Sequence, residues 1–84
     1  MGERAVYRTG KDQYGNIVTL WGQFGSVSHV EAITEIEIGA ERYYVPLDGG
    51  GGAVIDVIDG PFGKYLRANW DGQQRNNLVD LPDA

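Results

Sequence analysis

A single imidazole, His29, and the lack of any cysteine bound the chemistry open to this chain. A multi-histidine metal site or a histidine-paired hydrolase is left with one ligand or base, and thiol nucleophiles, thiolate zinc sites, iron–sulfur clusters and disulfide frameworks lack their residue type. His29 falls in the first turn of a helix without an identifiable partner and reads as an exposed side chain. Asp48, Asp56 and Asp59 have oxygens for a hard cation but not the spacing of a calcium loop, so they read as solvated acids on turns and a strand face. Glu31, Glu35 and Glu37 make an acidic helix surface that is expected to face solvent. Gly49 to Gly52 is followed by neither Lys-Ser/Thr nor a helix, so it fits a mobile hairpin connector better than a phosphate cradle. No catalytic residue, metal or cofactor is expected from these residues.

The one basic cluster is Lys64, Tyr65, Arg67, Asn69 and Arg75, where cations, an aromatic ring and an amide share a strand face and the turn after it. As a binding surface it would stack a planar group on Tyr65 and hold phosphate or carboxylate with Arg67 and Arg75. The more economical reading pairs Arg67 with a cross-strand Asp56 and half-buries Tyr65. Trp21, Phe24, Phe62 and Trp70 are expected in the core or at its rim, because a small domain needs large side chains to fill it; exposure of any of them would reverse that expectation.

The elements that must position these residues alternate along the chain. Ala5 to Thr9 and Ile17 to Trp21 read as strands, joined through Asp12-Gln13-Tyr14-Gly15-Asn16 as an antiparallel hairpin. Gly22 and Gly25 loosen the chain before Ser28, which with Glu31 matches a capping box and starts a helix over His29 to Ile38. Val30, Ile33 and Ile36 form its apolar side, and Gly39 supplies a left-handed cap. Arg42 to Leu47 alternates as a strand, with Pro46 marking an edge or an end. Ala53 to Ile58 is the most strand-like segment and is expected near the sheet centre. After the turn at Asp59 to Gly63, Lys64 to Trp70 sets Leu66, Ala68 and Trp70 on one face and Tyr65, Arg67 and Asn69 on the other. In the tail, Leu78 and Leu81 are placed to pack on the body while Asn76 and Asn77 bond nearby backbone.

The chain has 84 residues, of which 42% are hydrophobic. One core already takes about 50 residues, so residues 1–84 are expected to form a single small domain of modest stability. The order strand, strand, helix, strand, strand, strand fits an α+β, two-layer fold: a mostly antiparallel sheet with one helix on one face. Seven basic against twelve acidic residues give a net charge of −5. That balance opposes non-specific binding to nucleic acid and to an anionic membrane. Without cysteines, a signal-peptide run or an apolar span, a cytoplasmic location is expected.

Arg42-Tyr43-Tyr44-Val45, Val54 to Ile58, Gly63-Lys64-Tyr65-Leu66-Arg67, Asp71-Gly72, Asn76-Asn77-Leu78 and Leu81-Pro82 form an ordered set. In it the chain resembles a bacterial domain-of-unknown-function family, numbered three-eight-nine-two, and a weaker similarity runs upstream through the helix and first hairpin. Members usually show Thr after the Tyr-Leu-Arg triplet, where this chain has Ala68. The resemblance implies a small bacterial protein and brings no activity, substrate or cofactor. On the residues themselves, the leading expectation is a non-catalytic binding module with a protein or peptide partner, or self-association through an exposed strand edge near Pro46. A nucleic-acid contact module using Lys64, Arg67 and Arg75 is the alternative. Mimicry of nucleic acid by the helix glutamates is a weaker third, and an enzyme comes last.

Overall fold

The computed structural model describes residues 2–70 and 76–83. It is an α+β fold with eight strands and one α-helix: β1 (Gly2–Ala5), β2 (Arg8–Lys11), β3 (Ile17–Gly22), β4 (Gly25–Ser28), α1 (His29–Ile38), β5 (Glu41–Pro46), β6 (Gly52–Val54), β7 (Asp56–Gly60) and β8 (Gly63–Arg67), followed by a 3-10 turn, Asn77–Asp80. Pairing is antiparallel except between β1 and β5, and the strands divide among three small sheets, β1-β5-β6, β2-β3-β4 and β7-β8, instead of sharing one. The helix touches all three sheets, through β3, β4, β5, β7 and β8. Val6, Leu20, Ala32, Tyr43, Val45, Ile55, Leu66 and Leu78 meet beneath it as the core.

Two segments expected as single strands are each broken at one buried residue. Ala5 to Thr9 splits at Val6-Tyr7, where the Val6 N–H donates to Tyr44 O and the next N–H, of Tyr7, donates to Trp21 O, so the chain steps from one sheet to another. Ala53 to Ile58 splits at Ile55, whose N–H donates to Tyr43 O; β6 is thereby an outer strand of its sheet and β7 belongs to a separate hairpin, not to a sheet centre. Val6 and Ile55 are both buried. A propensity pattern registers that both are β-formers and is blind to the change of partner.

Residues 25–28, expected as loose chain, form β4, which returns antiparallel to β3 and buries Val27. A Cβ at Gly22 would collide with the Ala5 carbonyl oxygen and the Phe24 ring, so the missing side chain is what lets β1 and the β3–β4 turn approach. Pro46 ends β5 as one of the two expected outcomes; β5 itself is the middle strand between β1 and β6, and the sheet edge beside Pro46 is that of β6, whose Gly52 is its register partner. Gly49 to Gly51 close the β5–β6 hairpin with three successive positive φ angles, a path that side chains with a Cβ rarely take.

The helix has the expected bounds. Ser28 Oγ accepts the Glu31 N–H, and Gly39 at φ 76 sends its N–H to Ile36 O while the Ala40 N–H reaches Glu35 O. Its buried side differs from the expected one: Ala32 and Ile33 are covered and Ile36 partly so, while Val30 is exposed. The packed stripe runs through positions 29, 32, 33 and 36, and Val30 lies about 100° round from it.

Of the helix glutamates, Glu31 and Glu37 are exposed as expected, and Glu35 is drawn into the fold. Glu35 Oε1 accepts a 2.6 Å hydrogen bond from the Tyr43 hydroxyl, which itself accepts one from Arg4 Nη1 at 2.9 Å. Arg4 also approaches Glu41 at 3.5 Å, and its guanidinium lies over the Phe24 ring at 5.2 Å. Phe24 in turn meets Tyr43 edge to face. Glu37 accepts from Lys64 Nζ at 2.6 Å, tying the helix to β8.

The tail closes the fold as its residue types suggest. Asn76 Nδ2 donates to Leu66 O while its Oδ1 accepts the Ala68 N–H, and Asn77 Oδ1 accepts the Trp70 N–H. These amides extend the edge of β8 as a backbone strand would. Leu78 is fully buried, the Thr9 N–H donates to Pro82 O, and Lys11 Nζ pairs with Asp83 at 2.6 Å.

Two outcomes follow from this packing. Burial first, then the bond to Glu35, push the Tyr43 phenol up to about 12 against the opposing pull of Arg4. A folded value above the unfolded value of about 10 stabilises the fold fully below pH 10, and that contribution is lost as pH rises toward 12. Ultraviolet titration should show one of the five tyrosines ionising near pH 12, with that step missing in Tyr43→Phe; a titration curve that the substitution leaves unchanged contradicts the assignment. Asn77→Ala leaves the Trp70 N–H without its partner and should cost about 1–3 kcal/mol in urea denaturation, whereas Val79→Ala on the exposed side of the same turn should stay within about 0.5 kcal/mol.

Candidate binding groove

Two hairpin turns, β2–β3 and β7–β8, wall a groove of about 460 Å³. Asp12 and Asn16 come from the first turn, Phe62, Lys64 and Tyr65 from the second hairpin, and His29 from the start of α1. The second hairpin carries the aromatic wall for local reasons. Pro61 confines its own φ to negative values, so the positive φ needed to turn the chain falls on Gly63, at 119°. Between them Phe62 points from the tip and is fully exposed. A Cβ on Gly60 would sit 3.0 Å from the Tyr65 ring, so Gly60 opens the space that ring lies in. Tyr65 itself is 41% exposed.

The polar wall is held by an Asx turn. Asp12 Oδ1 accepts the N–H groups of Tyr14 and Asn16, each at 2.9 Å, and Oδ2 accepts Asn16 Nδ2 at 3.3 Å. The Asn16 N–H is the largest influence holding the Asp12 carboxyl below its ordinary 3.8, with the Tyr14 N–H and the His29 ring adding to it. His29 is half-buried rather than exposed, and its Nδ1 lies 3.2 Å from Val18 O. A carbonyl only accepts, so Nδ1 carries the hydrogen, and in the neutral ring Nε2 presents the lone pair. Lys64 is pushed up from its ordinary value by the hydrogen bond to Glu37 and by the charges of Glu37 and Asp59.

Of the five residues singled out in the sequence, Lys64 and Tyr65 line the groove. They do not share a strand face: Lys64 has the parity of buried Leu66 and bonds the helix, while Tyr65 has the parity of Arg67. Arg67 stands opposite Asp56 in the β7–β8 register, but the ion pair expected between them does not form among the described residues, and Asn69 is exposed beyond the end of β8; neither Arg67 nor Asn69 lines the groove. Arg75 lies outside the described residues. Asp48, Asp56 and Asp59 are exposed, and no group of three His, Cys, Asp or Glu able to hold a metal occurs among the described residues. Among those residues, too, no helix is long and apolar enough to cross a membrane.

Asp12, Asn16 and Phe62 were not singled out by sequence as site residues. Phe62 had a usable signal, since an aromatic between Pro61 and Gly63 at a two-residue hairpin tip has nothing beneath it to pack on. It corrects the expectation of core or rim packing, as does Trp21, which is exposed; the expectation holds for Phe24 and Trp70. Comparison of the chain with protein families, with curated proteins and with solved structures finds no match.

The His29 ring should show the Nδ1–H tautomer in long-range ¹⁵N–¹H NMR spectra wherever it is neutral; an Nε2–H pattern would contradict the bond to Val18.

Proposed function

We propose that this chain is a non-catalytic binding module that holds a protein or peptide segment in the groove between its two hairpins, with Phe62 and Tyr65 as anchors. The observation that carries this reading is the full exposure of Phe62 on a turn whose backbone is constrained by Pro61 and Gly63. An apolar ring kept in water costs about 2 kcal/mol relative to burial, and aromatic anchors are what protein partners most often cover. The groove volume of about 460 Å³ matches sites that take side chains or small ligands. The nucleic-acid reading has less support, because Lys64 is already paired with Glu37 in a chain of net charge −5. A cysteine-free chain suits a reducing, cytoplasmic compartment. The resemblance to family three-eight-nine-two extends the proposal to a bacterial origin and supplies no activity.

Selection of displayed random peptides on the protein tests the reading. Binders should lose about tenfold or more in affinity on Phe62→Ala or Tyr65→Ala, with unchanged circular dichroism, and none on Arg67→Glu. Binders indifferent to both aromatic substitutions would overturn it, as would salt-sensitive oligonucleotide binding abolished by Arg67→Glu.

A further inference from the structure

Resting on that reading, we infer that the groove takes a cationic segment: a lysine or arginine side chain of a bound peptide, its charge beside the Asp12 carboxylate and its stem across the rings of Tyr65 and Phe62. The balance of charge around the groove carries the argument. Lys64 is matched by Glu37 at 2.6 Å and lies near Asp59. Asp12, by contrast, is held by N–H groups of its own turn and forms no salt bridge among the described residues. One carboxylate oxygen already takes two backbone donors, while the other takes a single side-chain amide at 3.3 Å and has room for a further donor.

The rest of the lining suits the same ligand. Exposed aromatic faces attract ammonium and guanidinium groups and cover the methylene stems that carry them. When the His29 ring is neutral, its Nε2 offers an acceptor for a peptide N–H. An anionic ligand would instead meet Asp12 in a chain of net charge −5.

The peptides recovered by display selection should be enriched in Lys and Arg. A labelled synthetic copy of the tightest one should weaken about tenfold by fluorescence anisotropy when its basic residues are replaced by Gln. Asp12→Asn, which keeps an oxygen for the Tyr14 and Asn16 N–H groups and gives up the charge together with the 3.3 Å bond from Asn16 Nδ2, should erase that difference. Selected peptides without basic residues, or a preference that Asp12→Asn leaves intact, overturn the cationic assignment. If such peptides still respond to Phe62→Ala, the groove reading stands while this inference falls; if none responds, both fall. Spermidine displacing the labelled peptide as effectively as its unlabelled copy would overturn a peptide as the source of the cation.

Discussion

A tyrosine hydroxyl at 1% residue exposure must be hydrogen-bonded, and the way Tyr43 meets that requirement organises the fold. Its oxygen accepts from Arg4 and its hydrogen goes to Glu35, so β1, β5 and α1 converge on one atom. Arg4 is then held from its other side by Glu41 and from above by Phe24 of the β3–β4 turn. Removing one member leaves a neighbour partly desolvated and unpaired, which costs more than the pair contributes when intact. The parallel register of Arg4 against Tyr43 is the geometric form of this constraint.

From that anchor the placement of the groove follows. The two faces of the β5 backbone ladder receive Val6 on one side and Ile55 on the other, through Tyr44 O and Tyr43 O. At each of these residues the chain leaves the β5 sheet, once into the β2–β3 hairpin and once into the β7–β8 hairpin. The helix runs from His29, which lines the groove, to Glu37, which holds Lys64 on β8. Asn76 and Asn77 then fix the far end of β8. The hairpin tips can be polar on one side and aromatic on the other because neither contributes to the core.

Local chemistry was enough to place several of these parts. Ser28 and Gly39 bound the helix because capping depends on residues within one turn of the cap. Asp12 to Asn16 announced a hairpin, and Asn76 and Asn77 a backbone clamp, because short polar side chains bond nearby N–H groups wherever they fall. The alternation that buries Leu66 and Ala68 and leaves Tyr65 outside was equally plain.

By itself, then, the sequence determined the α+β class, the helix and its ends, the hairpin turns, the single histidine and the lack of cysteine, all properties set by residue type and short-range spacing. Only the tertiary structure decided that one sheet becomes three, that Glu35 bonds Tyr43 and Glu37 bonds Lys64, and that Lys64 joins Asp12, His29 and Phe62 and parts from Arg67. Those outcomes rest on contacts between residues far apart in the chain. Val6 and Ile55 look like ordinary strand residues until β5 supplies the carbonyls that bend the chain away, and Glu35 looks solvated until Tyr43 is buried beside it.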